Sequence, residues 1–463
     1  MQRTHLTANP TQQRARRWPL LAGVLVAALV AALLATAFTL GHGHREQTNI
    51  TAPWPTATPD APGPTTTPSV GRTGHPVLVL TAVDIAAIRS QLRAGAEPQA
   101  SAWSYFVGAD LATATAAAPD VYAGPFRGPD TDQARNAFAS LGVDGSHARD
   151  MAIAYAVTAD QRYAARVRQF LLAWAAGNTP TTIADYDSKD TGQLQAPGYF
   201  SFAYAYDLTY DSGQYSSADR AAIASWFQAA IAALQSCLRP TLTDYFLLHP
   251  DTTPPYAGTY EWDPSKRFSK YDALDVGADF PLLMQSASLA LAAMIGATST
   301  EQQIMNDPGN PLGIDPMLAS ALTPHNDGDG AGTDPVPQEK VYKSWSGRGG
   351  MFDYMTYNTR ICSVLVDMAA HLGWSSAQVL AARAKLHASW SYLARFFGPH
   401  AQPDYNPTDK IDLGACLPRF ALAWHEFGDA RFEQVLRSGP WQTYYETQLI
   451  GPVMVTHGLS PGA

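Results

Sequence analysis

The chain has 463 residues, 46% of them hydrophobic and 15% charged, which is enough for one large core or two ordinary ones. Its formal net charge of -9 argues against broad nucleic-acid binding, which needs a basic surface, but allows a local cationic cleft. Cys237, Cys362 and Cys416 show no C-x-x-C spacing, so they argue against a zinc or redox motif, and we expect all three to be buried.

The N-terminal region divides into a basic tail, an apolar segment and a polar linker. Residues 1–17 carry four arginines and no acid, and residues 18–41 contain an uncharged run about as long as the 20 residues that span a bilayer. The basic flank predicts a cytoplasmic N-terminus, with the remainder on the extracellular face of the membrane or secreted. A cleaved signal sequence is the alternative, because residues 35–37 resemble a cleavage site. Residues 42–74, rich in Pro and Thr, predict an extended linker.

Residues 75–463 predict one all-α domain of many antiparallel helices. Capping-box patterns, in which Ser or Thr is followed three residues later by an acid or Gln, precede apolar runs at helical spacing, and strand patterns are scarce. The patterns begin at Thr81, Thr158, Ser216, Thr298 and Ser375. We predict long loops at 176–200, 240–280 and 305–347, and structureless connections of this length usually carry function.

The predicted loops are rich in aromatic and polar residues, as in DYDSKDTGQLQAPGYF and PPYAGTYEWDPSKRFSKYD. Sugar rings stack their C–H faces on aromatic rings while their hydroxyls form hydrogen bonds, so this composition suits a carbohydrate ligand. Packing of the loops against helix ends is the alternative interpretation.

The segment SGRGGMFDYMTYN at 346–358 places an arginine and two glycines before an apolar helix, with two tyrosines near the start of that helix. One interpretation is a helix N-terminus with two packed tyrosines. The other is an active site whose acid or base is a phenol. A phenol with a pKa of about 10 acts as a base only where a cation stabilises its phenolate.

Three parts of the chain together resemble the alginate lyase domain family of polysaccharide lyases. They are HPVLVLTAVDIAAIRSQLRAG, then AIAYAVTADQRYAARVRQFLLAWA with FSFAYAYDLTY and YSSADRAAIASWFQAAI, and lastly the DG…PQE element at 329–339 with the arginine and tyrosines that follow. The order of these parts agrees with the family over most of residues 75–450. The resemblance implies an incomplete α/α toroid of paired helices, with a groove for an anionic polysaccharide.

The chemistry that the resemblance implies is β-elimination from a uronate. The enzyme neutralises the carboxylate on C5, removes the C5 proton and protonates the O4 leaving group. The family pattern implies that Tyr354 is the catalytic acid or base and that Arg348 is its cationic partner. It also implies that Glu339 is the acid that follows the DG element.

One departure concerns the Asn-Asn-His motif, with which the family supplies the carboxylate neutraliser and the base. The matching region, KYDALDVGADFPLLMQ, contains neither Asn nor His and has Asp275 and Asp279 instead. Replacements from other parts of the chain are His325, a candidate catalytic residue, and the amides at 326 and 195. The predicted substrate-binding residues are Glu339, Tyr357, Gln195, Tyr199 and Asn326.

Two alternative functions are compatible with the same architecture. A glycoside hydrolase on the same architecture needs two carboxylates, and a non-catalytic glycan-binding surface protein needs none. The hydrolase candidates are Glu339, Asp353, Asp334 and Asp329.

The glycine-rich segment 326–334 lacks the acid that a calcium loop needs at 331, so we predict no metal and no cofactor. We also expect a monomer that binds an anionic polysaccharide, is held at the membrane by its N-terminal helix, and binds no nucleic acid.

Overall fold

A computed structural model of the chain describes residues 74–126, 132–180, 188–238, 279–307, 312–322, 351–397, 413–446 and 448–458. These residues form helices and connecting turns, with no β-strand among them beyond an isolated bridge between Glu446 and Gly451. The predicted all-α class is therefore confirmed. The predicted tail, apolar segment and linker, residues 1–73, lie outside the described residues. Within the described part of the chain, no helix is both long and apolar enough to cross a membrane.

The helices of the N-terminal half are α1 (Ala82–Ala94), α2 (Gln99–Gly108), α3 (Asp110–Ala116), α4 (Asp132–Thr158), α5 (Gln161–Gly177), α6 (Ser188–Thr209) and α7 (Ser217–Cys237). Those of the C-terminal half are α8 (Asp279–Met294), α9 (Thr298–Asn306), α10 (Ile314–Ala321), α11 (Met351–His371), α12 (Ala377–Ala394), α13 (Leu413–Cys416), α14 (Phe420–Phe427), α15 (Ala430–Leu436) and α16 (Val453–Thr456). Short 3-10 segments lie at Leu417–Arg419 and Trp441–Thr443.

Consecutive helices pack as pairs, which is the arrangement expected of an α/α toroid. The pairs are α4 with α5, α6 with α7, and α11 with α12, while α6 also lies between α4 and α8. Helix α11 packs on α8, and the C-terminal helix α16 returns to contact α1 and α2. Helices α6 and α11 are thus central to the packing, and most of their side chains are buried.

Two of the predicted capping boxes are confirmed. The hydroxyl of Thr81 accepts a hydrogen bond from the backbone N–H of Asp84, and the Asp84 carboxylate accepts one from the Thr81 N–H at 2.7 Å. Ser216 and Asp219 make the same reciprocal pair at the start of α7. Each box satisfies two backbone donors that the first helical turn leaves without intrahelical partners.

The other three capping predictions are wrong in position. Thr158 belongs to the last turn of α4, where its hydroxyl donates to the carbonyl of Ala154 at 2.7 Å, and Asp160 caps α5 instead. Ser376, rather than its neighbour at 375, caps α12. Helix α9 begins at Thr298 itself and has no side-chain cap. A Ser or Thr close to a helix boundary can serve either helix end, so the pattern fixes the boundary only approximately.

Two of the predicted loops contain helices. Residues 188–200, predicted as loop, form the first half of α6 despite Pro197 within it, and Ile314–Ala321 forms α10 inside the predicted loop 305–347. The glycines of α6 reflect close packing rather than a turn. A Cβ at Gly192 would lie 2.7 Å from the Cβ of Cys237, and one at Gly198 would lie 2.6 Å from the Cγ of Leu141. All three cysteines are buried free thiols, and their predicted burial is confirmed.

The crossing of α4 and α6 depends on Gly145, because a Cβ there would lie 2.7 Å from the carbonyl oxygen of Gly198. We predict that Gly145→Ala lowers the free energy of unfolding by about 1–3 kcal/mol, the usual cost of overpacking a core. Gly142→Ala is the matched control, because no atom lies within 4 Å of its Cβ position on the same helix. The control is expected to gain about 0.5–1 kcal/mol from helix propensity. Denaturant titrations measure both, and equal midpoints for the two variants would contradict the prediction.

Candidate functional site

Helix α11 carries the two tyrosines that the sequence singles out. The helix begins at Met351, so Tyr354 lies in its first turn and Tyr357 in its second. The sequence thus places the phenols correctly at the start of a helix. Four other predicted site residues lie outside the described residues, and their roles stay predictions. They are Arg348, His325, Asn326 and Glu339.

The ring of Tyr357 is buried and lies against two guanidinium groups. The Cζ of Arg360 is 4.3 Å from the ring centroid, and the Cζ of Arg419 is 5.3 Å from it. Arg419 follows α13 in a 3-10 turn and donates to the hydroxyl of Thr356 at 2.7 Å, which holds its side chain near the ring. Cations at an aromatic ring are attracted to its electron-rich π system, and this attraction strengthens as the ring gains negative charge.

Arg360 is completely buried and is held by a turn near the C-terminus. It donates to the carboxylate of Glu446 and to the Oε1 of Gln448 at 3.0 Å. The Glu446 carboxylate also accepts from the backbone N–H groups of Gln448, Leu449 and Ile450 at 3.1, 2.6 and 3.0 Å. Burial alone would raise the pKa of Glu446, but Arg360 and these backbone N–H groups outweigh it and hold the pKa below its usual value. Glu446 therefore stays ionised and keeps Arg360 in place.

A second buried arginine, Arg149 on α4, lies on the other side of the same turn. It donates to the Tyr445 hydroxyl at 2.6 Å, and its Nε lies 3.3 Å from the Asp150 carboxylate. Tyr445 in turn donates to Asp150 at 2.6 Å. Burial raises the pKa of Asp150 to about 6, although Arg149 and the Tyr445 hydroxyl oppose this. This arrangement forms a short hydrogen-bond chain from guanidinium to phenol to carboxylate.

The two arginines belong to one connected set of hydrogen bonds. Ser201 on α6 accepts from Arg149 at 3.4 Å and donates to the backbone carbonyl of Gln448 at 3.3 Å, and Gln448 binds Arg360. Gly451 closes the turn with φ at +82°, and a Cβ there would lie 2.8 Å from the Nε of Arg149. We call this set, together with the Tyr357 ring that Arg360 contacts and the Arg419 guanidinium at the same ring, the arginine network. It comprises Arg149, Asp150, Ser201, Tyr357, Arg360, Arg419, Tyr445, Glu446 and Gln448.

Most of the arginine network was missed by the sequence interpretation. Arg149 and Asp150 follow one another inside the helix that runs on into DMAIAYAV, and Glu446 stands before the apolar run LIG. Charged residues embedded in an otherwise apolar helix or turn are buried only when they are paired. That pattern is the available signal, but it does not reveal that residues 149 and 446 meet.

Gln195 and Tyr199, predicted to bind substrate, lie on α6 and are buried. The amide of Gln195 donates to the carbonyl of Thr191 on its own helix at 3.1 Å. The ring of Tyr199 meets Trp226 of α7 edge to face, with 5.8 Å between ring centroids. Burial raises the pKa of the Tyr199 phenol, so it stays protonated. In this structure both side chains support the packing of α6 rather than present polar atoms to solvent.

The metal and hydrolase alternatives depend on residues that the structure describes only in part. Among the described residues, no group of His, Cys, Asp and Glu is arranged to hold a metal ion. The glycine-rich segment 326–334 lies outside the described residues, as do three of the four carboxylates considered for a hydrolase. Asp353 is in the first turn of α11.

Comparison with solved structures gives the fold an identity. A variant of the alginate lyase A1-III complexed with tetrasaccharide superposes with a TM-score of 0.50 at 12% identity, covering 83% of this chain and 98% of that chain. An alginate lyase from Bacteroides ovatus gives a TM-score of 0.50 at 14% identity, covering 83% of this chain and 100% of that chain. The chain has the alginate lyase fold. No family model and no curated protein matches the sequence.

The alginate lyase fold agrees with the resemblance that the sequence suggested. At 12–14% identity the likeness concerns the path of the chain and not the identity of individual side chains. The chemistry must therefore be argued from the residues of this chain. Within the described part of its alginate lyase fold, the arginine network connects charged side chains to the predicted site residue Tyr357.

Proposed function

We propose that this protein is a polysaccharide lyase that cleaves a uronate-containing polysaccharide by β-elimination. The observation that carries the proposal is the position of Tyr357 against Arg360 and Arg419, on the helix whose first turn holds Tyr354. Phenols and guanidinium groups are the kinds of group that elimination from a uronate needs, and here a phenol of α11 lies against two guanidinium groups. The alginate lyase fold supports the same class of substrate.

The reaction requires three actions at one sugar. Guanidinium or amide donors neutralise the carboxylate on C5, so that negative charge can develop on that carbon. A base removes the C5 proton, the electron pair of that bond becomes the C4–C5 double bond, and the C4–O4 bond breaks. An acid then delivers a proton to O4. We assign the acid or base role to Tyr354, the cationic role to Arg348, and to His325 the role of the base that the Asn-Asn-His motif would have supplied.

The arginine network gives the proposed site a fixed framework. Arg149 and Arg360 are completely buried and paired with Asp150 and Glu446, so their charges are offset locally and do not attract a polymer from solvent. In the proposed enzyme, Arg360 and Arg419 instead hold the ring of Tyr357 in position. The charge that binds the anionic polymer is assigned to Arg348.

The sequence further supports an enzyme that works outside the cell. The uncharged run in residues 18–41, with its basic flank, would hold the catalytic domain on the extracellular face of the membrane or direct its secretion. Residues 42–74 would act as the linker between membrane and enzyme. A polysaccharide is too large to enter a cell unaided, so this location fits the proposed substrate.

The test is a panel of polymers mixed with the full-length protein. Alginates, glucuronans and glycosaminoglycans are assayed in parallel for ultraviolet absorbance of the conjugated C4–C5 double bond and for new reducing ends. Absorbance that rises with one polymer, together with reducing ends, supports elimination and names the substrate. Reducing ends without absorbance indicate a glycoside hydrolase. Binding without either signal indicates a glycan-binding protein that lacks the Asn-Asn-His chemistry, and both of these outcomes overturn the proposal.

A further inference from the structure

A second polar cavity lies towards the other end of α11, away from the arginine network. Its volume is about 180 Å³. Asp367 follows Arg360 by seven residues, which is about 10 Å along a helix axis, so the two sites are separate. The cavity is lined by Val79, Asp84, Asp367, His371, Arg383, His425, Glu426 and His457. These residues come from α1, α11, α12 and α14 and from the segments before α1 and after α16.

The cavity holds more acid than permanent positive charge. Three carboxylates and three imidazoles line it with one guanidinium, and that guanidinium, Arg383, is 56% exposed and therefore shares its charge with solvent. Its Nε lies 2.8 Å from Glu426, whose side chain is only 4% exposed. The pair is close but poorly aligned, so the carboxylate oxygens of Glu426 lack a donor of good geometry among the described residues and Arg383 offsets their burial only in part. Because such a buried carboxylate is costly, a hydrogen-bond donor that entered the cavity would stabilise it.

The pKa shifts of the cavity's acids show that their ionised forms are poorly stabilised. Burial and the neighbouring Asp367 raise the pKa of Glu426 to about 8. Burial also raises the pKa of Asp367, although His371 and His425 lower it in part. Burial, His425 and His371 hold the pKa of His457 well below its usual value, so its imidazole is neutral. At neutral pH the Glu426 carboxylate is therefore mostly protonated, because Arg383 stabilises its ionised form only in part.

An imidazole of the cavity offers an acceptor nitrogen only while its ring is neutral. The Nδ1 of His371 lies 3.0 Å from the carbonyl oxygen of Leu78, so it must carry the proton, and its Nε2 is an acceptor when the ring is neutral. The Nδ1 of His457 is paired with the Thr456 hydroxyl at 2.7 Å. The Nδ1 of His425 has no hydrogen-bond partner among the described residues. A guest that donates hydrogen bonds would satisfy these groups.

We propose that this cavity binds a small organic ammonium ion, whose charge and N–H groups meet the carboxylates of Asp367 and Glu426. The volume fits such a guest, because it is several times the roughly 30 Å³ that one water molecule occupies in the liquid. A metal ion is a poorer guest, since no three His, Cys, Asp or Glu side chains of the described residues are arranged to hold one. The proposal is independent of the lyase activity, because no residue of the arginine network lines this cavity.

The first test compares three salts at equal concentration by the melting temperature of the full-length protein. Ethylammonium chloride is the probe, sodium chloride controls for ionic strength, and tetramethylammonium chloride controls for a cation without N–H donors. Ethylammonium is expected to raise the melting temperature in a saturable manner and more strongly at pH 8 than at pH 6, because it binds the ionised carboxylates. Equal shifts in the three salts, or no shift at all, would overturn the proposal.

The second test uses a matched pair of variants. Glu426→Gln keeps the side-chain shape and removes the charge, so the ethylammonium shift is expected to disappear. Glu433→Gln on α15 is the control, because this acid is 35% exposed, pairs with Arg437 and does not line the cavity, so it should keep the shift. A shift retained in Glu426→Gln contradicts the proposal.

Calorimetry on the unaltered protein covers the case in which Glu426→Gln does not fold. Ethylammonium is titrated at pH 7.5 in two buffers of different ionisation enthalpy. Binding at the carboxylates is expected to release about one proton per ethylammonium bound, since Glu426 is mostly protonated at that pH before binding. Binding without proton release would place the ammonium ion elsewhere and overturn the assignment.

Discussion

Replacing Tyr354 by phenylalanine is expected to lower the rate of elimination by about 10²–10⁴-fold, the usual contribution of general acid or base catalysis. The substitution keeps the aromatic ring in the first turn of α11 and removes only the hydroxyl that moves the proton. The measurement is the initial rate of double-bond formation on the best polymer of the panel. An unchanged melting temperature would show that the loss is chemical and not structural.

Tyr357→Phe is the partner experiment on the same helix. Its ring would keep its contacts with Arg360 and Arg419, so the variant should fold and retain most of the elimination rate. The opposite result, a large loss for Tyr357→Phe and none for Tyr354→Phe, would transfer the acid or base role to the phenol that lies against two cations. If neither variant lost rate, catalysis by the phenols of α11 would be excluded.

Glu446→Gln is expected to lower the free energy of unfolding by about 3–5 kcal/mol, because it leaves Arg360 buried without its counter-charge. The substitution also weakens the turn, since three backbone N–H groups donate to this carboxylate. Equilibrium unfolding in denaturant at pH 7 measures the change. Glu433→Gln, which removes a partly exposed carboxylate, is the control and should change stability by less than about 0.5 kcal/mol.

The pH dependence gives this prediction a second readout. The pKa of Glu446 is lowered in the folded protein, so the native state binds fewer protons than the unfolded chain. The stabilisation by this carboxylate is therefore present above its usual pKa of about 4.3 and is lost as the pH falls through the lower folded value. Glu446→Gln should lack this acid-induced loss. A destabilisation below about 1 kcal/mol at pH 7 would contradict the importance of the buried pair.

The helices were predictable where local signals agree. At Thr81 and Ser216 the capping residue, the acid three residues later and the helical spacing of the apolar residues all indicate the same helix start. The structure has a helix start at both positions. At Thr158 the local signal is ambiguous, because a threonine in the last turn of one helix stands close to the start of the next. Short-range chemistry therefore predicts that a helix exists better than it predicts where the helix ends.

Helix α6 shows that tertiary packing can outweigh the local helix propensity of a segment. Its sequence, SKDTGQLQAPGYF, has two glycines and a proline within a few residues, which is typical of a loop. The glycines are instead required by the close approach of Leu141 and Cys237 from neighbouring helices. Burial against those helices outweighs a loss of helix propensity of about 1 kcal/mol for each glycine.

The candidate site was predictable only in part for a related reason. The phenols of α11 stand within four residues of one another, and a single stretch of sequence reveals them. The partners of Arg360 and Arg149 come from a turn whose residues are far away along the chain. No local pattern connects an arginine to an acid at such separation, so the arginine network appears only when the chain is folded.

The closing turn at residues 445–451 also determines the order in which the protein can be assembled during synthesis. Arg149 precedes its hydrogen-bond partner Tyr445 by 296 residues. At about 5–20 residues per second, roughly 15–60 s of translation separate the two. During that time Asp150 and Ser201 are already present as partners of Arg149, but its hydrogen bond to Tyr445 is missing. We therefore expect the part of the core around Arg149 to reach its native packing only after the closing turn has been synthesised.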